Sequence, residues 1–203
     1  NGHRVTEQIL CLVPNEHAFR MTLRAVKLWA KKRAIYSNVY GYLGGISWAL
    51  LVAKTCQQYP RAMPAVLLQK FFLMYSMWQW PKPVLISQLT QNSDGIAEIP
   101  SWDPRKNKND ALHFMPVITL CYPHINSTFN VFPSTMAVII KEFERGLKLM
   151  NAMNDWNDLF EPLDFFGTFR HFFIVTIEAN SEEDHQAWQG YFQTKIKYLA
   201  KQL

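Results

Sequence analysis

Between Asn15 and Arg33 the apolar residues Phe19, Leu23, Val26 and Ala30 recur at helical spacing. Arg20, Arg24, Lys27 and Lys31 fall at i, i+4, i+7 and i+11, which stacks four cations along another face of the same helix. A segment so patterned must lay one stripe on a core and leave the cations outside it. The polar turn Tyr36-Ser37-Asn38 follows, and the glycine pair Gly44-Gly45 then opens an apolar run from Ile46 to Ala53. Two glycines at a helix start let a ligand reach backbone amides at the positive end of the helix dipole. A basic stripe, an aromatic hydroxyl, an amide side chain and a helix N-terminus together suit a nucleoside phosphate. The plainer reading is a solvated face followed by an ordinary turn. The glycines lack the spacing of a Walker or dinucleotide fingerprint.

The remaining pattern predicts a chain dominated by helices. Residues 1–13 read as the last strand or helix of a preceding unit, closed by Pro14. Asn15 is a candidate N-cap for the first long helix, which ends near Arg33. A second helix, apolar on most sides and therefore central, runs from about Gly45 to Gln58. A third starts at Pro64 and extends to about Trp78, and a fourth runs from Pro133 to about Met153. Residues 89–110 turn polar and read as a long surface loop. The stretch Met115 to Pro123 is extended and packs across the helices, with His113 and His124 beside it as structural residues. Past Asp158 the periodicity changes. Phe172-Phe173-Ile174-Val175-Thr176-Ile177 reads as a buried β-type run, and Ser181-Glu182-Glu183-Asp184 caps a final helix with Trp188, Phe192, Ile196 and Leu199 on one face. A strand and a helix do not make a domain by themselves, so they read as the opening βα unit of a larger sheet.

Of the 203 residues, 49% are hydrophobic and 18% charged, enough for a sizeable core. The net charge of +5 permits a polyanionic partner without requiring one, but residues 20–33 carry six cations and no acid. Cys11, Cys56 and Cys121 lie far apart, without zinc spacing, and read as buried thiols of a reducing compartment. Asn126-Ser127-Thr128 matches a glycosylation sequon that is incidental on this reading. The apolar runs are too short and interrupted to cross a bilayer, so no membrane partner is expected.

The residues themselves carry a resemblance. Asn1 to Thr6, Leu23 to Lys31, Tyr36-Ser37-Asn38 and Gly41 to Ala49 resemble the eukaryotic nuclear poly(A) polymerases, and Met115 to Thr119, Asn126 to Val131, Asp164-Phe165-Phe166 and Trp188-Gln189-Gly190 continue the match in the family's order. The resemblance implies three parts: residues 1–13 as the exit from a catalytic palm and a hinge, 14–163 as a helical central domain, and 164–203 as the beginning of an RRM-like RNA-binding domain. The fold class expected is thus mainly α, followed by the first βα elements of an α+β domain. The chain starts without Met and inside a family motif, and reads as a piece of a longer protein.

What the resemblance implies for chemistry is template-independent addition of AMP from ATP to RNA 3′ ends, in the nucleus, with mRNA cleavage and polyadenylation factors as partners. Lys27 and Tyr36 match positions that contact the ATP triphosphate. Asn38 matches a nucleotide contact, and an amide can read adenine's donor and acceptor together. Gly45 and Ile46 match positions packed against the base, although the family usually has Val where Ile46 stands. Asn1 matches an Asn near the incoming nucleotide and primer end, and Arg4, Arg20 and Arg24 are weaker candidates for RNA. Nucleotidyl transfer needs Mg²⁺ or Mn²⁺ held by clustered carboxylates, which the family places on an Asp-x-Asp strand of the palm. This chain has no Asp-x-Asp, so no catalytic or metal-binding residue is expected in it, and it should be inactive alone. The alternative is a non-catalytic RNA-binding or processing-complex scaffold that keeps the helical domain. A related nucleotidyltransferase with another base preference is a third reading.

Overall fold

A computed structural model describes residues 2–88, 100–152 and 155–202. Asn1, residues 89–99 of the expected polar loop and the expected helix end at Met153 lie outside the described residues. The first helix, α1, spans Gly2–Leu12, so the helical alternative holds for the opening segment. It buries Val5 and Ile9 and packs on α3 (Gly45–Gln58). Between them, α2 spans Glu16–Lys32. Asn15 caps it as its composition suggests, the side chain accepting from the Ala18 amide at 2.9 Å. The predicted stripe faces inward: Phe19, Val26 and Ala30 are buried, joined by Thr22 and Trp29.

After α3 come α4 (Pro64–Ser76), the short α5 (Lys108–Ala111) and the long α6 (Pro133–Asn151). Proline opens both α4 and α6, where its missing N–H costs no helical bond. Helices α2, α3, α4 and α6 meet around Trp29. Its ring lies edge-on to Trp48 (centroids 5.7 Å apart) and Phe72 (4.9 Å) and stacks on Phe143 at 5.8 Å. Phe71 and Tyr75 complete the cluster, and the Tyr75 hydroxyl donates to the Leu51 carbonyl at 2.7 Å. Burial pushes that phenol well above its ordinary pKa.

The segment from Met115 to Phe132 lays Met115, Val117, Cys121 and Val131 on the core. Pro116 to Thr119 run extended, the chain bends at 120–123 so that Ile118 and Asn126 form an antiparallel bridge, and it turns again at 127–130. Val84 pairs with this segment in parallel, its N–H donating to Pro116 O and its carbonyl accepting from Ile118 N–H, a bridge centred on Val117. Asn126 is 5% exposed, and its Oδ1 accepts from the amides of Val117 and Thr128, both at 3.0 Å. The sequon asparagine is therefore a buried structural residue. His124 is buried against the Thr119 carbonyl, as expected of a structural histidine. The cysteine expectation needs one correction: Cys56 and Cys121 are buried, but Cys11 is exposed, because α1 turns that side away from α3.

Beyond α6 the chain forms α7 (Trp156–Leu159), α8 (Phe165–Thr168) and α9 (Glu182–Gln202). Ser181 caps α9, its hydroxyl accepting from the Asp184 amide at 3.1 Å. The predicted buried strand does not form. Phe172 to Val175 carry no ladder and are exposed, Ile174 at 91%. A strand needs a neighbour for its N–H and C=O groups, and no segment among the described residues offers one. The predicted face of α9 is partly covered: the helix lies against the Asn38–Tyr40 turn with Phe192 and Ile196 half-buried, while Trp188 (58%) and Leu199 (41%) are exposed. Among the described residues, no helix is long and apolar enough to cross a membrane.

Candidate functional site

The inward stripe of α2 fixes where its cations point. With Val26 and Trp29 in the core, Lys27 emerges half-buried at the edge of the bundle, beside the start of α3. Arg20 is engaged by Glu16, its Nε donating to Oε1 at 2.7 Å. Arg33 is engaged by Glu142. Among the described residues Arg24, Lys27, Lys31 and Lys32 have no carboxylate partner, so the middle and end of α2 present uncompensated positive charge.

Past α2 the chain reverses through Ala34 and returns beside α3. Tyr36 and Leu43 form a parallel bridge, with the Ser37 amide donating to the Leu43 carbonyl at 3.2 Å. Between them a single 3₁₀ turn, Asn38–Tyr40, projects outward and ends at Gly41 with φ +80°, a left-handed conformation that glycine adopts without strain. The bridge brings the Tyr36 hydroxyl beside Gly45. Lys31 Nζ lies 5.3 Å from the centre of the Tyr36 ring, a cation–π contact that holds the phenol from the other side.

The glycines mark where these groups converge. A Cβ on Gly45 would sit 2.8 Å from Tyr36 Oη, 3.7 Å from Lys27 Nζ and 3.9 Å from Lys27 Cε. One on Gly44 would meet the Asn38 Cβ at 3.8 Å. Helix α3 begins here with Gly44 as N-cap and no side chain accepting from its first-turn amides. A primary amine, a phenolic hydroxyl and a row of uncapped helix amides thus face one small space, which is the donor set an anion with several oxygens requires. Ile46 stands next along α3, half-buried and apolar, and the exposed Asn38 amide borders the same space.

Lys27, Tyr36, Asn38, Gly45 and Ile46 are therefore brought together. Arg24 stands about one turn before Lys27 on the same helix, whereas Arg20 is neutralised about two turns away. Arg4 is exposed on α1 with no tie to this space, and Asn1 is outside the described residues. Lys31 belongs to the cation stripe read from the sequence, and Asn130 is an addition. The first continues the i, i+4 run of α2; the second donates from Nδ2 to the Asn38 carbonyl at 3.1 Å across 92 residues, a pairing no local pattern announces.

A cavity of about 390 Å³ lies elsewhere, between Pro83, Trp102, Arg105 and His113. Its polar groups already engage one another: Trp102 Nε1 donates to His113 Nδ1 at 3.1 Å, and Asp110 accepts from the Asp103 amide. Burial lowers the His113 pKa, with Asp110 opposing, so the ring is a neutral acceptor there. Among the described residues no three His, Cys, Asp or Glu side chains gather as a site for a divalent cation would need.

The family model described as "Poly(A) polymerase central domain" matches residues 18–162, and that described as "Poly(A) polymerase predicted RNA binding domain" matches residues 164–203. The chain is 44% identical to nuclear poly(A) polymerase 1 of Arabidopsis thaliana over 98% of its own length and 28% of that relative's. It is 44% identical to nuclear poly(A) polymerase 4 and 43% identical to nuclear poly(A) polymerase 2 of the same plant, covering 27% and 25% of them. It thus spans about a quarter of the length of the curated relatives it matches.

Proposed function

Since the chain belongs to the poly(A) polymerase family, we propose that it supplies the nucleotide-holding side of a nuclear polynucleotide adenylyltransferase acting on RNA 3′ ends in mRNA processing. The observation that carries this reading is the convergence of Lys27 Nζ and Tyr36 Oη on Gly45 at an uncapped helix start. In the reaction the RNA 3′-oxygen forms a bond to the α-phosphorus of ATP, the bond from that phosphorus to the bridging oxygen of pyrophosphate breaks, and the hydroxyl proton is lost. Negative charge accumulates on the departing pyrophosphate. Lys27 offsets that charge and Tyr36 donates to it, while the α3 amides hold the phosphates without reorganising. Asn38 reads the adenine edge, and Gly45 and Ile46 give the base a flat apolar wall.

Mg²⁺ or Mn²⁺ belongs to this chemistry as the activator of the attacking oxygen. Because no cluster for such an ion gathers among the described residues, we assign its ligands to the palm of the full-length enzyme. Residues 164–203 open the RRM-like domain on this reading. The exposed Phe172 to Val175 run then pairs with strands contributed by the rest of that domain, and RNA and processing factors are its partners.

The test is primer extension on oligo(A) RNA by a full-length polymerase carrying this chain, with each nucleoside triphosphate offered separately. ATP-selective tailing that falls at least tenfold in Lys27→Ala, about 1.4 kcal/mol of transition-state stabilisation, supports the assignment. Tailing unaffected by that change removes the site, and RNA binding without tailing leaves the scaffold.

A further inference from the structure

We propose that Asn130 is a positioning residue for base selection, resting on the function just assigned: it fixes the turn that carries Asn38. That turn is held only in part by its own residues. Ser37 sits at φ 145°, a region that non-glycine residues avoid and that persists only where surroundings impose it. Within the turn, the Ser37 hydroxyl accepts from the Val39 amide at 3.3 Å, and the Gly41 amide donates to the Asn38 carbonyl at 3.2 Å. Asn130 Nδ2 supplies the second donor to that same carbonyl at 3.1 Å. Both lone pairs of the Asn38 oxygen are then engaged, one from inside the turn and one from outside it.

The outside donor comes from a segment that also gauges the opposite wall. Just ahead of Asn130, the Ser127 carbonyl accepts from the Ser47 hydroxyl in the first turn of α3 at 3.1 Å. Just after it, the Phe132 ring packs under Gly41, where a Cβ would lie 3.1 Å from Phe132 Cδ2 and 3.2 Å from the Asn130 carbonyl. Residues 127–132 therefore touch the turn bearing Asn38 and the helix start bearing Gly45 and Ile46. Asn130 spaces the amide that reads a base edge from the wall on which the base lies.

Two measurements on the full-length enzyme test this, with Asn130→Ala and Asn130→Asp beside wild type. The first is hydrogen exchange at the amides of Val39, Tyr40 and Gly41, which must accelerate in both variants. The second is the ratio of kcat/KM for ATP to that for GTP, which must fall about threefold to tenfold, the range expected from losing one hydrogen bond, with Tm preserved. Lys27→Ala serves as the contrast: it lowers both rates and leaves the ratio in place. Unchanged exchange, or a looser turn with an unchanged ratio, overturns the role of Asn130 and leaves the proposed function standing. A wild-type enzyme that does not prefer ATP overturns both.

Discussion

The Arg33 guanidinium lies flat against the Glu142 carboxylate, Nε to Oε2 at 2.9 Å and Nη2 to Oε1 at 3.0 Å, joining the end of α2 to the middle of α6 across 109 residues. Both side chains are nearly buried, at 10% and 12% exposure. Arg145 stands on the same carboxylate at 3.8 Å, and its pKa is lowered by burial and by Arg33. Removing Glu142 would leave two guanidinium groups facing each other. Glu142→Ala is expected to destabilise the fold by about 3 kcal/mol, read from the urea midpoint. Replacing Arg33 and Glu142 together by apolar residues should cost less than the single change.

Gly45→Ala separates affinity from stability. Gly45 is the first residue of α3, where interior helix propensity does not apply, and the new methyl displaces only the hydroxyl end of Tyr36, so Tm should change little. That methyl group would occupy the space 2.8 Å from Tyr36 Oη that the proposed site reserves for phosphate. The KM for ATP of the full-length enzyme should rise about tenfold, equivalent to about 1.4 kcal/mol. A lower Tm with an unchanged KM would place the glycine in folding instead.

Gly146 poses the opposite case. A Cβ there would come within 2.5 Å of the Phe72 ring, which is fully buried against Trp29. Gly146→Ala should therefore lower stability by about 1–3 kcal/mol, because overpacking outweighs the propensity gain. Differential scanning calorimetry reads the shift, and Gly146→Ala combined with Phe72→Leu should recover part of it.

The thiols divide by depth. Burial pushes the Cys56 pKa up to about 11, and Cys121 is buried with its thiol donating to Gln8 Oε1. Cys11 is exposed. Among these three, a disulfide reagent at pH 8 should label Cys11 rapidly in the native protein and the other two only after denaturation. Mass-mapped labelling checks it, and rapid reaction at Cys56 would show that α3 opens locally.

Helix positions were legible because periodicity, capping residues and prolines agree at α2, α3 and α4. The convergence of Lys27, Tyr36 and Gly45 was legible too, being local: fewer than twenty residues separate them. Asn130 was not, since its bond to Asn38 depends on how the segment 115–132 crosses the bundle. The strand expected at Phe172 to Ile177 shows the converse limit. Composition states what a segment suits, but pairing requires a neighbour that composition does not supply.

The rings of Trp29 and Trp48 set one further property. Lys27 precedes the first by two residues and Gly45 precedes the second by three, so both sides of the proposed phosphate cradle are anchored in the same aromatic knot. Such a cradle has no private melting transition. Phosphate binding at the proposed site should then change only smoothly on warming, with no sharp loss before the whole helical body unfolds, since opening the site alone would require parting fully buried rings.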